Sequence, residues 1–171
     1  MAGARTTVFG GRDVALAGSA VEPGDMAPDF RVIDQSLQTR TLDDFKGKTL
    51  IIASVPSLDT GVCDAETRRF NEIAGEFGDQ VQILTISMDL PFAQKRWCGA
   101  ANVDRVTVLS DHREASFGQN WGTLIDEVRL LSRAVFVVNP EGRVVYSQYV
   151  PQVGEHPDYD SAVAAARAAI G

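Results

Sequence analysis

Leu50-Ile51-Ile52-Ala53-Ser54-Val55 runs directly into Pro56-Ser57-Leu58-Asp59-Thr60-Gly61-Val62-Cys63, and this junction constrains the fold more than any other stretch. The first six residues are apolar, rich in β-branched side chains and closed by a turn signal, which is the pattern of a buried strand. Beyond Cys63, Phe70, Ile73, Ala74 and Phe77 recur at i, i+3, i+4 and i+7, so the spacing predicts a helix over Asp64–Phe77 with one buried stripe. The order is strand, tight loop, cysteine, helix. A helix start carries unpaired N–H groups and partial positive charge, which favours the nucleophilic thiolate. Taken alone, a cysteine is more often an inert core residue, and position is what singles out Cys63. Asp59, Asp64 and Glu66 suit a helix start, yet their charge opposes a thiolate. A reactive Cys63 therefore needs a cation brought to it. Arg68 and Arg69 lie further along the same helix, and Arg133 lies far along the chain.

The rest of the chain alternates between the two regular structures. Thr7-Val8-Phe9 and Val14-Ala15-Leu16 flank Gly10-Gly11-Arg12-Asp13 and predict an N-terminal β-hairpin within residues 1–18. Phe30–Ile33 reads as a strand, and Thr41–Gly47 as one helical turn stopped by glycine. Val81–Ser87 is a second buried strand. Pro91 then opens a helix through about Ala101 that carries Cys98. Val106–Leu109 is a strand, and Arg113–Trp121 a helix or helical turn introduced by Asp111 as its cap. Ser132–Val138 and Arg143–Tyr149 flank Asn139-Pro140-Glu141-Gly142, a type I turn signature, and so pair antiparallel. Asp158–Ile170 is an alanine-rich final helix. This order, βαβ units followed by ββα, is that of an α/β sandwich with a central mixed sheet and flanking helices.

A length of 171 residues with 44% apolar content suits one domain over 1–171 with a full core. The net charge of −7 argues against nucleic acid or an anionic membrane as the main partner. No secretion signal or membrane-spanning run is expected, and the expected compartment is the cytoplasm. Two cysteines in a reducing compartment point to catalysis or redox sensing rather than to a static brace. His112 and His156 form no metal-ligand spacing, and no phosphate-binding glycine motif occurs, so neither metal nor cofactor is expected. Asp89, Glu114, Asp126 and Glu127 read as solvated charges. Leu58, Val62, Met88, Leu90, Phe92 and Trp97 read as an apolar cluster near the site. If the strands before the two cysteine helices are parallel, both sulfurs emerge at the carboxyl edge of the sheet, where open α/β folds bind ligands. A disulfide between Cys63 and Cys98 would then require movement, because helix axes pack about 8–10 Å apart and a disulfide needs Cα atoms about 4.4–6.8 Å apart.

Pro56, Thr60 and Cys63 stand as P-x-x-x-T-x-x-C, which resembles the active-site signature of the peroxiredoxins. The fuller PSLDTGVC, with DLPFAQKRWCGA and SRAVFVVNPEGRV beyond it, is similar to the atypical two-cysteine, bacterial thiol peroxidase branch. The likeness runs from about Val8 to the last helix. It implies a thioredoxin-like core and a peroxidase acting on hydrogen peroxide and organic hydroperoxides. It also implies Cys63 as peroxidatic nucleophile, Cys98 as resolving cysteine, Thr60 beside the incoming oxygen and Pro56 shielding the sulfur. Arg133 becomes the cation that offsets the acidic neighbours. Thioredoxin as reductant and a homodimer are further expectations from the family. The competing reading is a peroxide-sensing relay that uses the same cysteine pair to switch a partner.

Overall fold

The structure is a computed structural model that describes residues 5–170. Strands β1 (Thr6–Phe9) and β2 (Arg12–Ala15) form the expected hairpin, pairing Phe9 with Arg12 across Gly10 and Gly11. Both glycines have positive φ, 61° and 80°, as a two-residue type I′ turn requires. The start of the expected 1–18 segment lies outside the described residues. Next come β3 (Arg31–Ile33), β4 (Thr39–Thr41), a 3-10 turn over Leu42–Phe45, β5 (Thr49–Ser54) and α1 (Gly61–Phe77). They are followed by β6 (Val81–Ser87), α2 (Pro91–Ala101), β7 (Thr107–Ser110) and α3 (Ser116–Asn120). A small ribbon of β8 (Leu124–Ile125) and β9 (Leu130–Leu131) precedes β10 (Ala134–Val138), β11 (Val144–Tyr149) and α4 (Tyr159–Ala169).

Seven strands form one mixed sheet in the order β11-β10-β5-β6-β7-β3-β4. The β5–β6 and β6–β7 pairs are parallel, as strands joined through α1 and α2 must be, and the other pairs are antiparallel. Side chains alternate across a strand, so β5 sends Leu50 and Ile52 to one face and Ile51 and Ala53 to the other. Ile51 and Ala53 pack with Ile83, Val108 and Val135 under α1, α2 and α4. Leu50 and Ile52 join Leu84, Ile86 and Phe136 against Phe117 and Trp121. Trp121 meets Phe136 edge to face at 4.9 Å, and its indole N–H donates to Pro28 O at 2.9 Å.

Strands β8 and β9 are absent from the sequence reading because each is only two residues long, too short for alternation to register, and β4 because Thr39-Arg40-Thr41 carries no apolar residue. Helix α3 is the helical turn expected within Arg113–Trp121, five residues long. Asp111 is fully buried and its carboxylate accepts from Phe117 N (3.1 Å) and Gly118 N (2.8 Å), so it caps α3 from a distance. Burial pushes its pKa up to about 6.

The hairpin is sewn onto the body by backbone. Val8 N donates to Pro151 O, Val153 N to Val8 O, and Ala17 N to Leu124 O. Gly18 follows with φ of +74°, and a Cβ there would collide with the carbonyl oxygen of Gln119. The close approach and the left-handed backbone both require glycine. Gly18→Ala is expected to lower unfolding free energy by about 2–4 kcal/mol, the sum of left-handed strain and overpacking. Urea titration measures this.

Candidate active site

Helix α1 begins three residues earlier than the periodicity predicts, which places Cys63 inside its first turn. Thr60 is the N-cap, and Asp64 N donates to Thr60 O at 2.9 Å as the first intrahelical bond. The N–H groups of Gly61, Val62 and Cys63 are therefore left without helical partners. Thr60 does not cap with its side chain. Its hydroxyl donates to Ser57 O at 3.0 Å instead. Cys63 is fully buried, and its carbonyl also accepts from the Thr67 hydroxyl at 2.8 Å, a back-bond of the kind that loosens a helix turn.

Arg133 arrives from the next strand. The antiparallel β5–β10 register pairs Ser54 with Ala134, so the residue before β10 lies at the end of β5, beside the loop that leads to Cys63. Its guanidinium is spent on three acceptors. Nη2 donates to Cys63 Sγ at 3.2 Å, Nη1 to Glu66 Oε1 at 3.1 Å, and Nε to Val153 O at 3.0 Å. Arg133 is 1% exposed and Glu66 0%. Arg68 and Arg69, the other candidate cations, pair with Asp64 and Glu72 at the surface.

In sequence, Glu66 counts only as an acidic neighbour opposed to Cys63. In the structure it is the partner of the guanidinium. The signal was the i, i+3 spacing, which sets Glu66 on the same helix face as Cys63. Burial pushes its pKa up to about 7, against the pull of Arg133. Its second oxygen, Oε2, has no protein hydrogen-bond partner among the described residues. Tyr159 lies over the same region, edge to face with Phe70 at 5.4 Å, and burial together with Glu66 raises its phenol.

The loop from Pro56 to Thr60 is held from beneath. Pro56 is buried. Asp89, read above as a solvated charge, is half-buried and accepts from Ser57 Oγ (2.7 Å), Leu58 N (2.9 Å) and Ser87 Oγ (2.8 Å). Glu114, Asp126 and Glu127 are exposed, in surface pairs with Arg31, Arg129 and Arg12.

A cavity of about 470 Å³ opens over this floor, walled by Pro56, Thr60, Gly61, Val62 and Arg133 on one side. Val8, Phe9, Gly10 and Gly11 of the hairpin tip and Gln152–Gly154 form the other. Of the apolar cluster expected near the site, only Val62 lines it. Leu90 and Phe92 are exposed, 52% and 69%.

Cys98 is elsewhere. It does not emerge at the carboxyl edge of the sheet as Cys63 does. It sits in the last turn of α2, seven residues from the Pro91 end, about 10 Å along the axis. Arg68 of α1 reaches Ala101 O and lies over Trp97, so α2 packs its last turn against the Arg68 side of α1. Both cysteines are free and buried. Cys98 Sγ accepts from Gln35 Nε2 at 3.5 Å and borders a separate cleft with Lys95, Asn102 and Val103. Burial raises the Cys98 thiol, and the Gln35 bond opposes that rise. Among the described residues no cluster of His, Cys, Asp or Glu is placed to hold a metal, and no helix is long and apolar enough to cross a membrane.

The family model described as redoxin matches residues 22–163. The thiol peroxidase of Bacillus subtilis (strain 168) is 54% identical over 162 residues, covering 95% of this chain and 96% of that one. That of Halalkalibacterium halodurans is 52% identical, covering 95% and 97%. Among solved structures, a peroxiredoxin-like protein from Aquifex aeolicus is 41% identical and superposes with a TM-score of 0.90 over 98% of each chain. A thiol peroxidase from Chromobacterium violaceum, at 20% identity, shares the fold with a TM-score of 0.82 over 91% of each. With a matching family model over most of its length and relatives above half identity, the chain belongs to the redoxin family, in its bacterial thiol peroxidase branch.

Proposed function

We propose that the protein is a cofactor-free peroxidase that reduces hydrogen peroxide and organic hydroperoxides through Cys63. The observation that carries this is the guanidinium of Arg133 donating to Cys63 Sγ at 3.2 Å, both groups buried and the arginine lining an open cavity. A charge-assisted bond from a fixed cation, added to a helix N-terminus, stabilises an anionic sulfur. That sulfur attacks one oxygen of the hydroperoxide. The S–O bond forms, the O–O bond breaks, and the departing oxygen leaves as water or alcohol after gaining a proton. Cys63 becomes a sulfenic acid. Arg133 steadies the charge on the departing oxygen. The Thr60 hydroxyl spends its proton on Ser57 O, so its lone pairs are available to accept from the hydroperoxide O–H. Pro56, buried and without an N–H, keeps the loop dry and rigid. The hairpin-side wall, with Val8, Phe9 and Val153, suits an alkyl substituent.

Cys98 then attacks the sulfenic sulfur, the S–S bond forms, and the S–O bond breaks with loss of water. Because Cys98 lies far down α2 from the Pro91 end, the first turn of α1 unwinds to deliver Cys63. Thioredoxin, or another dithiol, reopens the bridge by exchange in the cytoplasm. The exposed Leu90 and Phe92 offer an apolar surface for a homodimer partner.

With a thioredoxin system, Cys63→Ser is expected to consume no peroxide, while Cys98→Ser reacts once and stalls; continued turnover by the first would defeat the assignment. Arg133→Met should slow Cys63 oxidation by about 10²- to 10³-fold, as loss of one preorganised donor does. The same change should cost about 3–5 kcal/mol of stability by stranding Glu66. Adding Glu66→Gln should recover stability but not rate, and a recovered rate would reduce Arg133 to a structural role.

The native state holds the Glu66 proton to about pH 7, whereas the unfolded chain releases it near 4.5. The native state therefore binds more protons between these values, and this contribution to stability, full below pH 4.5, is lost as pH rises through 7. Asp111, raised to about 6, acts in the same sense. Urea titrations from pH 4.5 to 8 should show a shallower decline for Glu66→Gln than for the parent.

A further inference from the structure

The loop that presents Cys63 and the helix that carries Cys98 are fastened to one carboxylate. Asp89 sits between β6 and α2. Its Oδ1 accepts from Ser57 Oγ at 2.7 Å, and its Oδ2 from Leu58 N at 2.9 Å, both in the loop before Cys63. Oδ2 also accepts from Ser87 Oγ at 2.8 Å. Ser87 Oγ in turn accepts from Gln94 Nε2 at 3.1 Å, and Gln94 is a fully buried residue of α2 whose amide also donates to Leu109 O at 2.8 Å. A short chain of hydrogen bonds thus runs from the Cys98 helix to the loop before Cys63. Side-chain acceptance of a loop N–H and a loop hydroxyl by one half-buried carboxylate fixes the loop far more tightly than turn geometry alone.

The two steps of the reaction make opposite demands on that loop. Peroxide attack needs Cys63 held against Arg133. Disulfide closure needs Cys63 to leave Arg133 and travel toward the last turn of α2, which pulls on Ser57 and Leu58. We propose that Asp89 is a positioning residue that sets the partition between these steps: its hold on Ser57 and Leu58 speeds peroxide attack and retards closure of the bridge. The inference rests on the reading of Cys63 and Cys98 as the reacting pair. No new bond chemistry is involved. Cys98 displaces hydroxide from the Cys63 sulfenic sulfur in either case, and the hydroxide leaves as water after taking up a proton.

The test is single-turnover oxidation of the reduced protein by hydrogen peroxide, quenched at intervals and assayed by mass for sulfenic acid and disulfide. In Asp89→Ala, which removes both bonds to the loop, the first step is expected to slow about tenfold as Cys63 loses its fixed position against Arg133. The second step should stay as fast as in the parent or become faster. Asp89→Asn, which keeps the shape and part of the bonding, should fall between. An unchanged first step, or both steps slowed by the same factor, overturns the proposal. If Asp89→Ala fails to fold by circular dichroism, Ser57→Ala carries the same test through the ratio of the two rates, and an unchanged ratio overturns it. A parent that forms no disulfide at all overturns the underlying reading of the cysteine pair, and is seen before any variant is made.

Discussion

A guanidinium buried among a sulfur, a carboxylate and a peptide carbonyl is the interaction on which this site depends. A planar cation with donors in fixed directions satisfies three acceptors at once and orients each relative to the others. Arg133 does this for Cys63, Glu66 and Val153, one from the first turn of α1, one from the next turn, and one from the segment after β11. A lysine ammonium, a point charge on a flexible stem, would not define those directions. The position itself comes from antiparallel pairing, since only a strand that starts where β5 ends brings residue 133 to the loop.

The same peptide links the site to the periphery. Val153 accepts from Arg133 with its carbonyl and donates from its N–H to Val8 O in the N-terminal hairpin. The hairpin looks like a decoration in sequence, yet it is one residue away from the cation in the bonding network. It also walls the cavity with Phe9 and its two glycines. On the opposite side Asp89 plays the corresponding part for the loop, so the region around Cys63 is clamped between the hairpin side and the β6–α2 side.

Much of this architecture is legible in the chain. Val81–Ser87 and Pro91–Ala101 are recovered at both ends, because a long apolar run and a proline at a first helical turn are local signals. Cys63 stands out because of its place in a local pattern, whereas Arg133 stands out through the resemblance of its segment to the family's. Three things escape. The β8–β9 ribbon is too short for its period to register. Glu66 and Asp89 are single acidic residues, and nothing local distinguishes a carboxylate that will be buried against donors from one that faces water. The depth of Cys98 depends on how far down α2 it lies, and a sequence shows that it is on the helix more readily than which end of the sheet it will face.

Glu66 keeps one oxygen buried with no donor from the described residues to meet it. A pair of well-packed apolar side chains at positions 66 and 133 would remove that tension, and buried ion pairs replaced in this way often leave a more heat-resistant protein. Such a chain would lose the cation beside its sulfur. Heat tolerance and reactivity therefore make opposing claims on the same two residues, and a screen for thermal resistance alone would tend to select an inert variant.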